Sequence, residues 1–138
     1  MKSAFSPSWK SSKQPRKQRK YLYNMPHHIA SKTMAAHLSP EPREKYNKRS
    51  IRVRVGDKVK VMRGSFKGEE SKVERVDSQR RRVYLTKVER IKKDGTKILV
   101  PFDPSNLMIT ELNLDDKKRM KQLPKKNKGS NGEDVKDG

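Results

Sequence analysis

Residues 56–76, GDKVKVMRGSFKGEESKVERV, admit few structures. Val59 and Val61 alternate with Lys58 and Lys60, the two-residue period of a strand with one face buried. Val73 and Val76 restart an apolar face after the loop Gly64-Ser65-Phe66-Lys67-Gly68. Gly64 and Gly68 supply positions able to take positive φ or to let another backbone approach closely. The segment reads as a β-hairpin with a basic, glycine-punctuated tip. On local pattern alone, an ordinary tight hairpin whose glycines serve only chain reversal is the bland alternative.

Charge weighs against that alternative. The 138 residues hold 36 Lys+Arg against 16 Asp+Glu, a formal net charge of +20 with a pI near 10.4 and 30% hydrophobic residues. A chain so self-repelling implies a polyanionic partner, nucleic acid or an anionic membrane surface. No run approaches the roughly 18 apolar residues of a spanning helix, and the start has no apolar core of a signal peptide. Membrane insertion is excluded on those grounds. Attachment to a membrane surface is disfavoured because Trp9 and Phe5 sit among Ser and Pro rather than on an apolar stripe opposite cations. Cysteine is absent, so no disulfide framework or thiolate metal site is available and the redox compartment stays open.

The cations are unevenly spread. Residues 1–50 hold 12 Lys/Arg and 2 acids, residues 51–112 hold 16 and 9, and residues 113–138 hold 8 and 5. Nearly all Val, Ile and Leu at strand-like spacing fall in 51–112, the one part expected to bury a core of its own. Three regions follow: a basic N-terminal extension over 1–50, a barrel over 51–112, and a short helix with a polar tail over 113–138. A domain of about 60 residues is small for independent stability, and its flanks are expected to order on the partner.

Strands are expected over Ile51–Val55, Val59–Met62, Lys72–Asp77, Val83–Ile91, Thr96–Val100 and Leu107–Leu112. The intervening Val55-Gly56-Asp57, Asp77-Ser78-Gln79, Lys93-Asp94-Gly95 and Pro101–Ser105 carry the Gly, Asp, Ser or Pro of chain reversal. Five or six such strands make a small barrel, mainly β, whose closure protects its edges. Its expected core is Val59, Val61, Val73, Val76, Leu85, Val88, Ile98, Val100, Leu107 and Ile109, with Tyr84 and Phe102 as further candidates.

Gly56-Asp57-Lys58-Val59-Lys60-Val61, Gly64-x-x-Lys67-Gly68 and the Lys72-Val73 restart resemble the KOW motif of ribosomal proteins and transcription elongation factors. The surroundings choose between the two. Ser12–Arg19, Met34–Ser39, Arg43–Tyr46 and Asp103–Thr110 are similar to large-subunit ribosomal protein twenty-four in its archaeal and eukaryotic form, called twenty-six in eukaryotes, over roughly residues 11–123. The resemblance implies an SH3-like barrel bound to large-subunit rRNA in its 5′ domain, near the exit of the peptide tunnel of the cytoplasmic ribosome. It also implies an early role in subunit assembly, with neighbouring large-subunit proteins as partners. A place at the exit would bring nascent chains and targeting factors within reach. The family usually has glycine where Ser71 stands, and serine suits that path only at negative φ. Residues 1–10 and 124–138 have no counterpart in the resemblance.

Candidate RNA contacts follow from the cations. Lys13, Arg16, Lys17, Arg19 and Lys20 crowd eight positions around Pro15, too dense in charge to fold alone but suited to threading between RNA helices. A nuclear-localisation signal is another reading of such a run. Tyr21 and Tyr23 either stack on unpaired bases, each worth about 1–3 kcal/mol, or pack the arm on the barrel. Helical spacing of Ile29, Met34 and Leu38 after Pro26 predicts a short helix through His27–His37. His27 and His28 face different sides of such a helix, with no acid or Cys to complete a shell, so RNA or solvent is expected there and no metal. Arg43, Lys45, Lys48 and Arg49 join arm to barrel as phosphate contacts or solvated cations.

On the loop, Arg63, Gly64, Ser65, Lys67 and Gly68 are expected to contact RNA, with Arg63 and Lys67 taking phosphates. Phe66 is expected on a sugar or base, with plugging of the barrel end as the alternative. Arg80, Arg81 and Arg82 make a second basic tip that meets RNA or a neighbouring protein, or is merely solvated. Ser105 and Asn106 sit in a Pro-rich turn and either cap backbone locally or touch RNA. Asp115 and Asp116 open a short helix, an order the helix dipole favours, whose Lys117 and Lys118 are further expected RNA contacts, and the tail from Pro124 is expected to be disordered.

Catalysis finds no footing in the sequence. It has no Cys, GxSxG, Walker loop, HExxH or carboxylate pair in an apolar setting, and no cofactor motif. The function that the resemblance implies is that of a structural constituent of the large ribosomal subunit. The alternatives are a KOW-type transcription elongation factor, whose usual upstream polymerase-docking domain the basic, apolar-poor first 50 residues do not suit, and a DNA-compacting protein.

Overall fold

Pro15 opens the first helix, α1 (Pro15–Asn24), at a position where its missing N–H costs nothing, and Arg, Lys, Gln and Leu then sustain it. The structure, a computed structural model, describes residues 5–123. The polar tail expected from Pro124 lies outside the described residues. After α1 come α2 (His27–Thr33), β1 (Ala35–Leu38), α3 (Pro40–Tyr46), β2 (Ser50–Arg52), β3 (Lys58–Val61), β4 (Glu70–Asp77), β5 (Arg82–Ile91) and β6 (Lys97–Phe102). A 3-10 turn (Pro104–Asn106), β7 (Leu107–Glu111) and α4 (Lys117–Gln122) complete the order.

The strands form one seven-stranded sheet in the order β2-β1-β7-β3-β4-β5-β6, curled into the small barrel-like domain expected. Five neighbouring pairs are antiparallel, and β1 with β7 is parallel, His37 opposite Met108 and Leu38 opposite Ile109. Period-two alternation drives burial: Val59 and Val61 point inward, Lys58 and Lys60 outward, and Leu107 and Ile109 meet the valines from β7. Each fully buried Val, Leu or Ile contributes on the order of 1.5–3 kcal/mol.

Three expectations need correction. The helix predicted through His37 ends at Thr33, and Ala35–Leu38 pair as a strand between β2 and β7. There Ala36 and Leu38 are buried, so sheet pairing and burial outweigh the helical spacing of Ile29, Met34 and Leu38. The core drawn from sequence also shifts. Val53, Val83, Met34, Ala36 and Leu38 are buried members of it, whereas Val76 and Val100 are half-buried against its rim and Ile98 is 42% exposed. Phe102 is buried, and Tyr84 half-buried under the guanidinium of Arg75, 4.3 Å from its ring.

The cause of the Ile98 error is a break in the ladder. Register between β5 and β6 shifts between Tyr84 and Glu89, where Lys87 takes φ +64°, and the outer pairs Arg90 with Ile98 and Ile91 with Lys97 extend as a two-stranded ribbon past the core. The third correction concerns the arm. Its dense cations do fold locally, as α1, although no α1 residue is buried. The sheet, by taking in β1, uses more of the chain than the 51–112 span expected for it.

Ser71 lies in β4 opposite Val59, outside the positive-φ residues, and its hydroxyl donates to the Thr86 carbonyl. Serine thus fits where glycine is usual, and it ties β4 to the irregular stretch of β5. Among the described residues, no helix is long and apolar enough to cross a membrane.

Candidate nucleic-acid interface

The β3–β4 tip is built by two glycines. Gly64 (φ +97°) and Gly68 (φ +90°) both sit in the left-handed region, with open space where a Cβ would stand. Conformation rather than crowding therefore demands glycine at both positions. Gly68 N–H donates to Val61 O at 2.8 Å and Lys67 N–H to Gly64 O at 3.2 Å, closing the loop and leaving Arg63, Ser65 and Lys67 exposed.

Phe66 turns inward. It is half-buried against the core, edge-on to Phe102 with ring centroids 6.1 Å apart, so it caps the barrel end and does not lie outward for a base. Phe66→Ala is expected to destabilise the domain by about 2–3 kcal/mol, below the range for fully buried phenylalanines. Chemical denaturation checks this, and an unchanged midpoint would return Phe66 to the outer surface.

The structure brings this loop beside a strand the sequence left aside. Arg63, Gly64, Ser65 and Phe66 share a cleft of about 340 Å³ with Arg82, Arg90 and Asn106. Arg90 was missed: on an exposed strand of a basic chain a single arginine reads as solvated, and only the β5–β6 register carries it toward the loop. Arg82 is engaged with Asp103 at 2.8 Å, so of the second basic tip Arg80 is exposed and Arg81, at φ +54°, is half-buried. Asp77 accepts from Arg80 N–H at 3.0 Å and closes that turn. Ser105 is exposed, and Asn106 lies in the 3-10 turn with its carbonyl accepting from Met62 N–H at 2.8 Å. Asn106 thus supports local structure through its backbone.

Along the arm, Lys13, Arg16, Lys17, Arg19 and Lys20 are all exposed, four of them on α1. Tyr23 is 91% exposed. Tyr21 packs on the arm's own aromatic residues rather than on the barrel. It stacks on Trp9, centroids 4.4 Å apart, and lies 4.9 Å from Phe5. His27 and His28 are exposed on α2, His27 Nδ1 standing 3.5 Å from Ser78 Oγ at the second tip. Arg43 is partly spent on the Leu38 carbonyl at 3.1 Å, Lys45 lies over the Tyr46 ring, Lys48 donates to Gln122 O at 2.6 Å, and Arg49 is exposed.

A buried ion pair holds the C-terminal cations in place, and nothing local in the sequence announces it. Asp57 and Arg119 are 0% and 2% exposed. Arg119 grips the carboxylate with both terminal nitrogens, at 2.6 and 2.7 Å, and donates to Asn113 O and Arg52 O. Asp57 also accepts from the N–H groups of Arg54 and Asn113, so both its oxygens are doubly satisfied. Within the clamp, Arg119 Nε lacks an acceptor among the described residues. This bidentate clamp, with Arg54 paired to Asp116 nearby, docks α4 on the barrel and presents Lys117 and Lys118 outward. Asp116 precedes α4 as its N-cap, accepting from Lys118 N–H at 2.8 Å.

Fold and surface together define a small basic β-barrel protein that carries a KOW hairpin and cationic extensions at both ends. A family model that describes ribosomal proteins, L26 of eukaryotes and the archaeal form numbered twenty-four, matches residues 12–126. The chain is 48% identical over 115 residues to a large ribosomal subunit protein uL24 from Methanosphaera stadtmanae, covering 83% of this chain and 98% of that one. It is 52% identical over 112 residues to a large ribosomal subunit protein uL24 from Methanoculleus marisnigri, covering 81% and 93%. The chain belongs to this family of ribosomal proteins, uL24 in the large subunit. It is accordingly a structural constituent of the large subunit of the cytoplasmic ribosome.

Proposed function

We propose that this chain binds large-subunit rRNA, in the 5′ domain close to the tunnel exit, and supports early subunit assembly by holding RNA segments against the barrel. The observation that carries the reading is the excess of exposed cations without acidic partners. Six cations have acidic partners, Arg54, Lys58, Lys60, Arg82 and Lys97 on the barrel and Arg119 of α4, while Arg52, Lys72, Arg75, Lys87, Arg90, Lys92 and Lys93 of the barrel are exposed without one among the described residues. Those of α1, the KOW loop and α4, Arg16, Lys17, Arg19, Lys20, Arg63, Lys67, Lys117 and Lys118, are exposed and lack ion pairs among the described residues.

Unpaired cations spread over several surfaces suit phosphates from several RNA strands and suit no small substrate. The role is scaffolding rather than catalysis, with neighbouring large-subunit proteins as further contacts. Nascent chains and targeting factors come within reach if the exit position holds. Co-sedimentation tests the assignment: at moderate salt the purified chain is expected to pellet with large subunits, and pelleting with polymerase or nucleoid instead would overturn it.

A further inference from the structure

We propose that the cleft between the Phe5–Trp9 turn and one face of α1 is a stacking site for an unpaired base of single-stranded RNA. The inference rests on the RNA-binding reading and adds to it a site on residues 5–9, which lie before the segment matched by the family. Lys17, Lys20, Tyr21 and Asn24 follow one another at intervals of three, one and three, so they share one face of α1. Trp9 N–H donates to Ser6 O at 3.3 Å, a turn that brings Phe5 and Trp9 to the same side. Gln18 Nε2 donates to Ser12 O at 2.6 Å and fastens the intervening chain to the helix.

The outcome is a row of three rings. Trp9 and Tyr21 are nearly parallel, 23° between planes, and Phe5 is tilted 31° to Tyr21. All three are only half-buried, and with Lys17, Lys20 and Asn24 they line a cleft of about 320 Å³. That volume is at the lower end of small-ligand pockets, roughly 300 Å³ and upward. Aromatic faces beside cations are what a nucleotide needs: the rings take the base and the lysines its phosphates. Lys17 and Lys20 at the mouth of the cluster are placed to meet the phosphates that flank a stacked base.

Trp9 is the sole tryptophan, so its fluorescence reports on the site directly. Adding a hexa-adenylate RNA to the full chain is expected to quench it saturably, and Trp9→Ala is expected to weaken binding of an rRNA 5′-domain fragment by about 5- to 150-fold. The salt slope should not change, because no cation is lost. Trp9→Phe, which keeps a ring, should recover most of the affinity, and circular dichroism of each variant reports whether α1 persists. Unquenched Trp9 in a chain that binds the rRNA fragment, or equal affinity of Trp9→Ala with α1 intact, overturns this site while leaving the broader reading standing. Loss of α1 in Trp9→Ala shifts the decision to the unaltered chain, where the quench alone decides. No binding of the fragment by the unaltered chain overturns both.

Discussion

Asp57→Ala is expected to lower the free energy of unfolding by about 3–5 kcal/mol, the cost of stranding a buried guanidinium. Arg119 would keep only the carbonyls of Asn113 and Arg52, with Nε already unsatisfied. Arg119→Ala is expected to cost less than Asp57→Ala, since Asp57 retains the N–H donors of Arg54 and Asn113. Small domains are stable by only about 5–15 kcal/mol, so the isolated Asp57→Ala chain should show a large drop in urea midpoint. The double variant Asp57→Ala/Arg119→Met should recover part of the loss, because it removes both buried charges together. A single-variant loss under about 1 kcal/mol would mean that water reaches the pair and that it does not fasten α4. The clamp matters for function because it fixes where Lys117 and Lys118 stand.

Deleting residues 1–25 is expected to leave the barrel folded and to remove most of the affinity for rRNA. No α1 residue is buried, and every member of the core cluster lies at or after Met34. If about 6–10 phosphates are neutralised by the intact chain, its affinity should fall by on the order of 10³–10⁵ between 50 and 200 mM salt. Each neutralised phosphate contributes about 0.7–0.9 to the slope of log affinity against log salt. Loss of Lys13, Arg16, Lys17, Arg19 and Lys20 should therefore flatten the slope by roughly 3.5–4.5. Filter binding across a salt series measures it, and an unchanged slope would refute the arm as the main phosphate binder.

How far the sequence led depended on whether the deciding interaction was local. The β3–β4 hairpin was legible because alternation, glycines and cations lie within 21 residues, and positive φ at Gly64 and Gly68 is what such a tip requires. β1 was not: Ala35-Ala36-His37-Leu38 has no β-branched residue and becomes a strand only because β7 and β2 flank it. Ile98 looked like core until the register shift opposite Lys87 carried its stretch of β6 beyond the barrel.

The surface followed the same division. That cations would dominate was plain from composition, but which of them stay unpaired depends on contacts such as Arg82 with Asp103, 21 positions apart. The Asp57–Arg119 clamp spans 62 positions, and Asp57 by itself reads as an ordinary turn acid. Tyr21 was singled out as a stacking residue, yet its partners Trp9 and Phe5 became visible only when the turn folded back on α1.

The claim on which the rest depends is that exposed arm and loop cations lie against rRNA. Ultraviolet crosslinking within intact large subunits containing this chain, with the attached peptides mapped by mass spectrometry, tests it most directly. RNA adducts are expected on peptides spanning residues 13–23 and 63–67. Adducts confined to the β5–β6 turn at residues 92–96, or none on the chain at all, would contradict it.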